Sequence, residues 1–454
     1  LKLFIHRKDL RTEDLTAFDY LHEAGAPAAH LLILDPFLLK RGREKEHSGV
    51  NFLRHVNRLR SRYEQAGRVL HIAYGAPEEV LSHLLGRLEG GPEEIDEVVA
   101  HRDFTPYARD RDRKLKGAAE AHGAAFTLLV DTLMIETERF AEFTGKDGFY
   151  KIFAPFHRKW LEYLAHAPNE PSSVALGDLR EGRIEPEWPS RFDLPFDLDE
   201  YEPADEWKEK LEPFLEDGIA EYGEKRDYYP ELPASGVNPH VSAGAVSIRE
   251  LYARAIRREG SDEWVRQLAF RDFYQYLAIY DKDYFSYEKK YDLSALTDEH
   301  FERWAKGDTG IPVIDAAMRG LNETGLMPNR LRILCAMFLT KNLQCPFTLG
   351  ENYFRRKLLD YDNIQNRGNW LWCASLGANS APYFRVVNPV TQSEKYDPNG
   401  EYIREWLPEL RDEDAKKVHL PRPDAVVDLK ASRAAAIGTY KSIVNGRQEE
   451  AEPE

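Results

Sequence analysis

Short apolar runs alternate with amphipathic stretches through the first part of this 454-residue chain. Leu1–Ile5, Ala28–Leu34, Val69–Tyr74, Val98–His101 and Phe126–Val130 are nearly continuous in apolar character, the pattern of buried parallel strands. Between them, Gly49–Ala66 and Pro77–Leu88 carry helical periodicity. The rhythm predicts an α/β domain, a Rossmann-like parallel five-stranded sheet with helices on both faces. No G-x-G-x-x-G follows the first run, so no dinucleotide-binding fingerprint is present there. From about Glu170 to Tyr201, Pro, Asp, Glu and Ser accumulate without a sustained period, which is a linker signature. Beyond it strand patterns cease and helices dominate. Pro312–Asn322 places Ile314, Ala317, Met318 and Leu321 on one face and stops at Gly325. Arg330–Leu343 does the same with Leu331, Leu334, Cys335, Phe338 and Leu339. The expected division is an α/β domain over 1–130, an interdomain linker over 131–200, an all-α domain over 201–445 and a disordered tail over 446–454.

Charge changes this picture only by its distribution. The net charge of -16 argues against a nucleic-acid partner. Yet Arg249–Leu407 holds 22 Lys+Arg against 22 Asp+Glu, a balance of zero, so the acidic excess lies elsewhere and a locally basic groove can exist in the C-terminal half. No apolar run approaches the roughly 18 residues of a membrane span. The first residues read as a strand, not a signal peptide, and the missing Met leads us to expect a few residues ahead of Leu1. Three cysteines, Cys335, Cys345 and Cys373, cannot build a four-cysteine metal or iron–sulfur site, and no metal is expected. So sparse and odd a count suits a reducing compartment and a cytoplasmic protein. The C-terminal half is rich in Trp, Tyr and Phe, which suits a large core, a pocket for a flat-ring cofactor or stacking platforms for bases.

Two stretches narrow these alternatives. One is Gly310–Arg319 with Gly325–Arg332, "GIPVIDAAMR" and "GLMPNRLR". The other runs from Leu359 to Asp397, "LDYDNIQNRGNWLWCASLGANSAPYFRVVNPVTQSEKYD". With "GEYIREWLPEL", "HRKDLRTED" and "GFYKIFAPFHRKWL", they make the chain similar over nearly its whole length to the DNA photolyase/cryptochrome family, and closest to the cyclobutane pyrimidine dimer photolyases. The resemblance implies an N-terminal antenna-binding α/β domain and a C-terminal all-α FAD-binding domain, with FAD folded into a U in a cavity that opens onto DNA.

The resemblance also implies roles residue by residue. Tyr222 matches a position at the FAD phosphates, and Ala234, Ser235, Gly236, Val237 and Asn238 match the loop that holds the pyrophosphate, although only Ser235 keeps the usual residue. Asp360 and Asp362 match acids that bind the ribityl chain and ring edge. Asn366 matches the residue facing flavin N5, where an amide can accept the N5–H of a reduced ring. Gln267, Phe270, Arg271 and Tyr274 match the lesion-contacting helix, Gln267 touching cofactor and lesion alike. Arg226, Asn329, Arg330, Trp372, Arg385 and Gln392 match further DNA or lesion positions. An extruded dimer needs an aromatic wall, polar groups for its base edges and guanidinium groups for the bent backbone, and this set supplies all three.

The departures are specific. Gln267 stands where Glu is common, Phe270 where Trp is, Ile333 where Met is, and Pro328 where His is usual. A Gln can still pair with a thymine edge, and Phe270 can still stack, with less area than Trp. Of the three tryptophans that usually carry electrons to the flavin, only Trp370 is kept; the middle position aligns with Phe347 and the outer with Ser294, so the usual chain is interrupted. Trp372, Trp304 or nearby tyrosines could supply a detour. Thr105 stands where folate-binding relatives carry an acid, leaving a deazaflavin, a second flavin or no antenna open. The expected activity is light-driven repair of pyrimidine dimers by a monomeric flavoprotein, with Asn366, Gln267 and Trp370 at the reacting centre. The alternatives are a cryptochrome-type photoreceptor without repair activity, repair of the (6-4) photoproduct, disfavoured by the absent histidine, and a helical DNA-binding protein with no cofactor.

Overall fold

The computed structural model describes residues 1–40, 42–230 and 234–446; most of the tail expected over 446–454 lies outside the described residues. Two compact units interleave along the chain. The first comprises Leu1–Lys146, Lys159–Glu216 and Ser235–Asp272, the second Asp147–Arg158, Asp217–Ala234 and Phe273–Glu454.

In the first unit, strands β1 (Lys2–His6), β2 (Ala28–Leu34), β3 (Leu70–Tyr74), β4 (Glu97–His101) and β5 (Ala125–Leu129) form one all-parallel sheet in the order β3-β2-β1-β4-β5. This is the Rossmann-like sheet that the apolar runs predicted. Alternation along β1 explains why those runs are unbroken. Phe4 enters the layer made with Phe18, Leu53, Val56 and Leu59, while Leu3 and Ile5 enter the opposite layer with Val80, Leu84 and Leu115. Helices Thr16–Ala24, His47–Gln65, Pro77–Leu88 and Pro106–Ala121 supply those layers.

The "HRKDLRTED" segment leaves β1 as a buried polar knot. Asp9 accepts from His6 Nδ1 at 3.0 Å, from His101 Nδ1 at 2.6 Å and from the Arg7 amide at 2.8 Å. These bonds hold its carboxyl below the ordinary range even though burial opposes ionisation. Asp14 and Asp131 share Arg249, and Asp131 also pairs with Arg11 at 2.5 Å. Several ions thus share one desolvated cluster, where each lone pair must be met by a donor.

The Pro- and acid-rich stretch is more ordered than its composition suggests. It carries three short turns, Leu176–Asp178, Ser190–Phe192 and Leu198–Glu200. Leu176, Leu179 and Leu198 bury into one sheet layer, Ile184 and Phe192 into the other. Its spaced apolar residues act as single anchors, which leave no period to read.

The second unit contains no strand among its described residues. Its core gathers Trp304, Ile314, Met318, Leu321, Leu331, Leu334, Cys335, Phe347, Phe354 and Trp370. Helix Pro312–Thr324 ends on left-handed Gly325, as expected. The helix expected over Arg330–Leu343 differs. It is α-helical over Asn329–Met337 and then widens into a π turn over Phe338–Asn342. Thr340 Oγ1 donates to Ala336 O at 2.8 Å inside that turn, and the phase slip carries Lys341 into the core, where it is fully buried. All three cysteines are buried.

Candidate flavin site

Within the second unit, Asp362 caps the helix Asn363–Cys373 by accepting from Gln365 N at 2.9 Å. That start fixes the helix phase and lines up Asn366, Asn369, Trp370 and Cys373, spaced i, i+3, i+4 and i+7, as one wall of a cleft. Helix Asn329–Met337 contributes the facing wall with the same spacing, Asn329, Arg332, Ile333 and Ala336. Phe354, Leu358 and the Asp360-Tyr361-Asp362 corner complete it, around about 510 Å³ of space partly open to solvent.

Asp360 is paired with Arg332, Nη2 to Oδ2 2.9 Å, and Arg332 Nε donates to Met327 O at 2.8 Å. Asn366 Nδ2 donates to the carbonyl of Glu351 at 3.1 Å. A carbonyl can only accept, so the amide must face it with its NH2 and its Oδ1 is thereby oriented as an acceptor. The support is rigid. Arg367 is buried beside Asn366, donates from Nε to Tyr284 O and pairs with Glu351 at 2.9 Å and with Glu288. Burial raises the Glu351 carboxyl despite that pair. Trp370 fits only because residue 350 is glycine, since a Cβ there would stand 2.0 Å from Trp370 Cη2. Burial pushes the Cys373 thiol up to about 12, so it is not a nucleophile at neutral pH.

The structure therefore brings Asp360, Asp362, Asn366, Trp370 and Asn329 together in one cleft. Arg332, Asn369 and Cys373 also line the cleft, at helical spacing from Asn329 and Asn366, and Gln365 does so three residues after Asp362. Elsewhere in this unit, Arg385 is exposed with its guanidinium 5.2 Å from the centre of the Trp372 ring, which joins two expected DNA contacts. Arg330 pairs with Asp227 and lies over Tyr396. Arg226 lies over Tyr222, and Gln392 accepts through its backbone carbonyl from Tyr229 Oη at 3.5 Å. Tyr274 is buried against Gly368. Phe347 is buried under Arg367, and Ser294 is exposed. Ala234 is exposed.

The other expected residues belong to the first unit. Ser235 is buried, Gly236 is left-handed at φ 65°, and Val237 leads into the short helix Asn238–Ala243. On helix Asp262–Tyr280, Gln267 Nε2 donates to Glu263 O at 3.0 Å, Phe270 lies near the Arg266 guanidinium, and Arg271 Nη1 donates to Thr132 O at 2.5 Å. Thr105 is the cap of the helix that follows β4, accepting from Ala108 N. Among the described residues no cluster of His, Cys, Asp and Glu could hold a metal ion, and no helix is long and apolar enough to cross a membrane.

These groups suit a flavin. Carboxylates can accept from hydroxyl groups and an amide oxygen from an N–H, and Ile333, Ala336, Phe354 and Trp370 line the rest of the cleft with surface that a flat ring can pack on. A Rossmann-like parallel sheet in one unit and such a cleft among the helices of the other are the arrangement that the photolyase/cryptochrome resemblance implies.

Comparison with known proteins agrees. Residues 2–172 match the DNA photolyase model and 264–452 the FAD binding domain of DNA photolyase. Proteins named deoxyribodipyrimidine photo-lyase are similar over most of the chain: from Vibrio cholerae, 30% identical, covering 97% of this chain and 99% of that protein; from Halobacterium salinarum, 32%, covering 97% and 99%; from Thermus thermophilus, 34%, covering 97% and 98%. An archaeal photolyase from Sulfolobus tokodaii, solved with two FAD molecules, superposes with a TM-score of 0.79 at 28% identity, covering 97% of this chain and all of that one. A cryptochrome from Synechocystis shares the fold, with a TM-score of 0.82 at 24% identity and 96% and 98% coverage. The chain belongs to the DNA photolyase family, with an FAD-binding domain and curated relatives named photo-lyases.

Proposed function

We propose that this chain repairs cyclobutane pyrimidine dimers in DNA under blue light, using reduced FAD held in the Asp360–Asn366–Trp370 cleft. The observation that carries the reading is Asn366. Its amide is anchored through Nδ2 to Glu351 O, so Oδ1 is set to accept from the N5–H of a reduced ring, without the additional negative charge that a carboxylate would bring. Such a residue favours the electron-rich form of the ring. When bound, FAD supplies the chemistry: in its reduced state it gives one electron to the dimer on excitation and takes it back after the ring has split.

The chain's own residues position and shield. Asp360 and Asp362 bind the ribityl hydroxyls and ring edge, with Arg332 neutralising Asp360 so that the corner does not repel a negatively charged ring. Tyr222 and the Ala234–Asn238 loop are assigned to the phosphates. Arg385 over Trp372, with Asn329 and Gln392, is assigned to DNA, as are Arg226 and Arg330. For Arg330, binding a phosphate means competing with Asp227. Gln267, Phe270, Arg271 and Tyr274 complete the assignment to the lesion. A second, antenna chromophore is in keeping with the archaeal relative solved with two FAD molecules.

A photoreceptor without repair activity is the second reading. It is favoured by the way Gln267 bonds its own helix and Phe270 replaces a larger stacking ring. Repair distinguishes the two. Purified holoprotein, with its flavin first reduced by dithionite, is illuminated with an oligonucleotide bearing one thymine dimer. Repair predicts recovery of the dimer's lost absorbance near that of intact thymine, in light only. A flavin-loaded protein that leaves the dimer intact and binds damaged and undamaged DNA equally would overturn the repair reading.

A further inference from the structure

Behind Trp370 the packing is aromatic. The indole rings of Trp370 and Trp304 meet edge to face at 6.2 Å between centroids, and Trp304 meets the ring of Tyr353 at 5.7 Å. Both separations are those of rings in direct contact. Trp304 is fully buried and clamped between Phe354 and Phe301, stacked on them at 6.0 Å each, and Tyr353 is half-buried. One face of the series thus begins in the cleft and the other ends where solvent begins. Indole and phenol are the readily oxidised aromatic side chains; the benzene ring of Phe347 is not.

We propose that Trp370, Trp304 and Tyr353 form an electron conduit from the protein surface to the flavin, in place of a route through positions 347 and 294. This inference rests on the reading of the cleft as the flavin site.

Trp370 would give up one electron to the oxidised, light-excited ring held in the cleft and be left as a cation. Trp304 refills Trp370 and is left as a cation. Its Nε1–H donates to the Cys335 carbonyl at 3.1 Å, which stabilises that charge in the core. Tyr353 refills Trp304 and must lose its phenolic proton, because the Lys357 ammonium 5.9 Å from its ring opposes a second positive charge there. The hydroxyl bonds Asn322 Oδ1 at 2.5 Å and Ala305 O at 2.9 Å. Neither amide oxygen is basic enough to keep the proton, which passes to water. A thiol then returns one electron and one proton to the tyrosyl radical. Two such rounds oxidise two thiols to one disulfide and deliver two electrons to the cleft; two protons leave at Tyr353, and one is taken up from water for N5 of the reduced ring.

The test uses the holoprotein with oxidised FAD. Brief blue illumination without thiol, followed by freezing, should give an electron paramagnetic resonance signal of a tyrosyl radical that narrows when tyrosine is ring-deuterated. The signal should be lost in Tyr353→Phe and in Trp304→Phe. With thiol present, flavin bleaching should fall in both variants, and in the wild type it should slow in D2O. Flavin content and visible spectrum establish that each variant is folded. Tyr353→Phe removes only a hydroxyl, so it serves if Trp304→Phe does not fold. Variants that keep their FAD and bleach at the wild-type rate would overturn the conduit and leave the flavin site standing. A wild-type protein that neither carries nor takes up FAD would overturn both.

Discussion

Lys341 gives the sharpest quantitative test of the core around the cleft. Its ammonium is fully buried, donates to Ser375 Oγ at 2.8 Å and sits 3.4 Å from the centre of the Tyr440 ring. Desolvation lowers its pKa to about 7 from 10.5, against a smaller opposing contribution from Cys373. A tenfold change in proton affinity is worth about 1.4 kcal/mol, so the displacement corresponds to roughly 5 kcal/mol across the whole window. The direction follows from proton counts. Between pH 7 and 10.5 the unfolded chain holds this proton and the folded one does not, so stability rises with pH. Below pH 7 both states hold it and the full cost of burying the charge is present. Lys341→Met removes the titration while nearly preserving volume. We expect the variant to be the more stable protein at pH 6, and its advantage to shrink by about 2–3 kcal/mol between pH 7 and 9. Urea unfolding at fixed, saturating FAD, followed by tryptophan fluorescence, measures this. Parallel pH profiles for the two proteins would refute the reasoning.

Three further outcomes follow from particular contacts. Gly350→Ala should destabilise by about 1–3 kcal/mol in thermal unfolding and lower FAD retention, because its methyl group would overlap Trp370 and stand 2.6 Å from Leu339 Cδ2. Asp360→Asn should release FAD on gel filtration that the wild type retains, since it leaves Arg332 without its carboxylate, a loss worth about 3–5 kcal/mol in a buried pair and less at the partly exposed Arg332. Asp272 is buried and accepts at 2.9 Å from both Trp160 Nε1 and Met134 N, yet desolvation raises its pKa to about 6. The folded state then holds more protons than the unfolded between about pH 4 and 6, so wild-type stability falls with rising pH across that window by roughly 3 kcal/mol, and Asp272→Asn should abolish that fall in urea midpoints taken at pH 4.5 and 7.

How far the chain could be read without its structure depends on the range of each interaction. The strands were visible because a parallel sheet covered on both faces needs apolar residues at consecutive positions, as Leu3, Phe4 and Ile5 supply. Much of the cleft was visible for a similar reason. Asp360, Asp362, Asn366 and Trp370 lie within one corner and one helix, where spacing alone puts them on a common wall, and their strings are long enough to mark the family.

The tertiary structure decided what depends on contacts between distant segments. A helical pattern through Arg330–Leu343 says nothing of the π turn that turns Lys341 inward. Position-by-position comparison found Phe347 and Ser294 where tryptophans are usual, but could not see that Trp304, from another helix, touches Trp370. Nor could composition show that isolated residues such as Leu198 and Phe192 anchor a Pro-rich stretch to the sheet layers. Periodicity records which residues are buried within an element; which ring or charge meets which is set only when elements far apart in the chain are packed together.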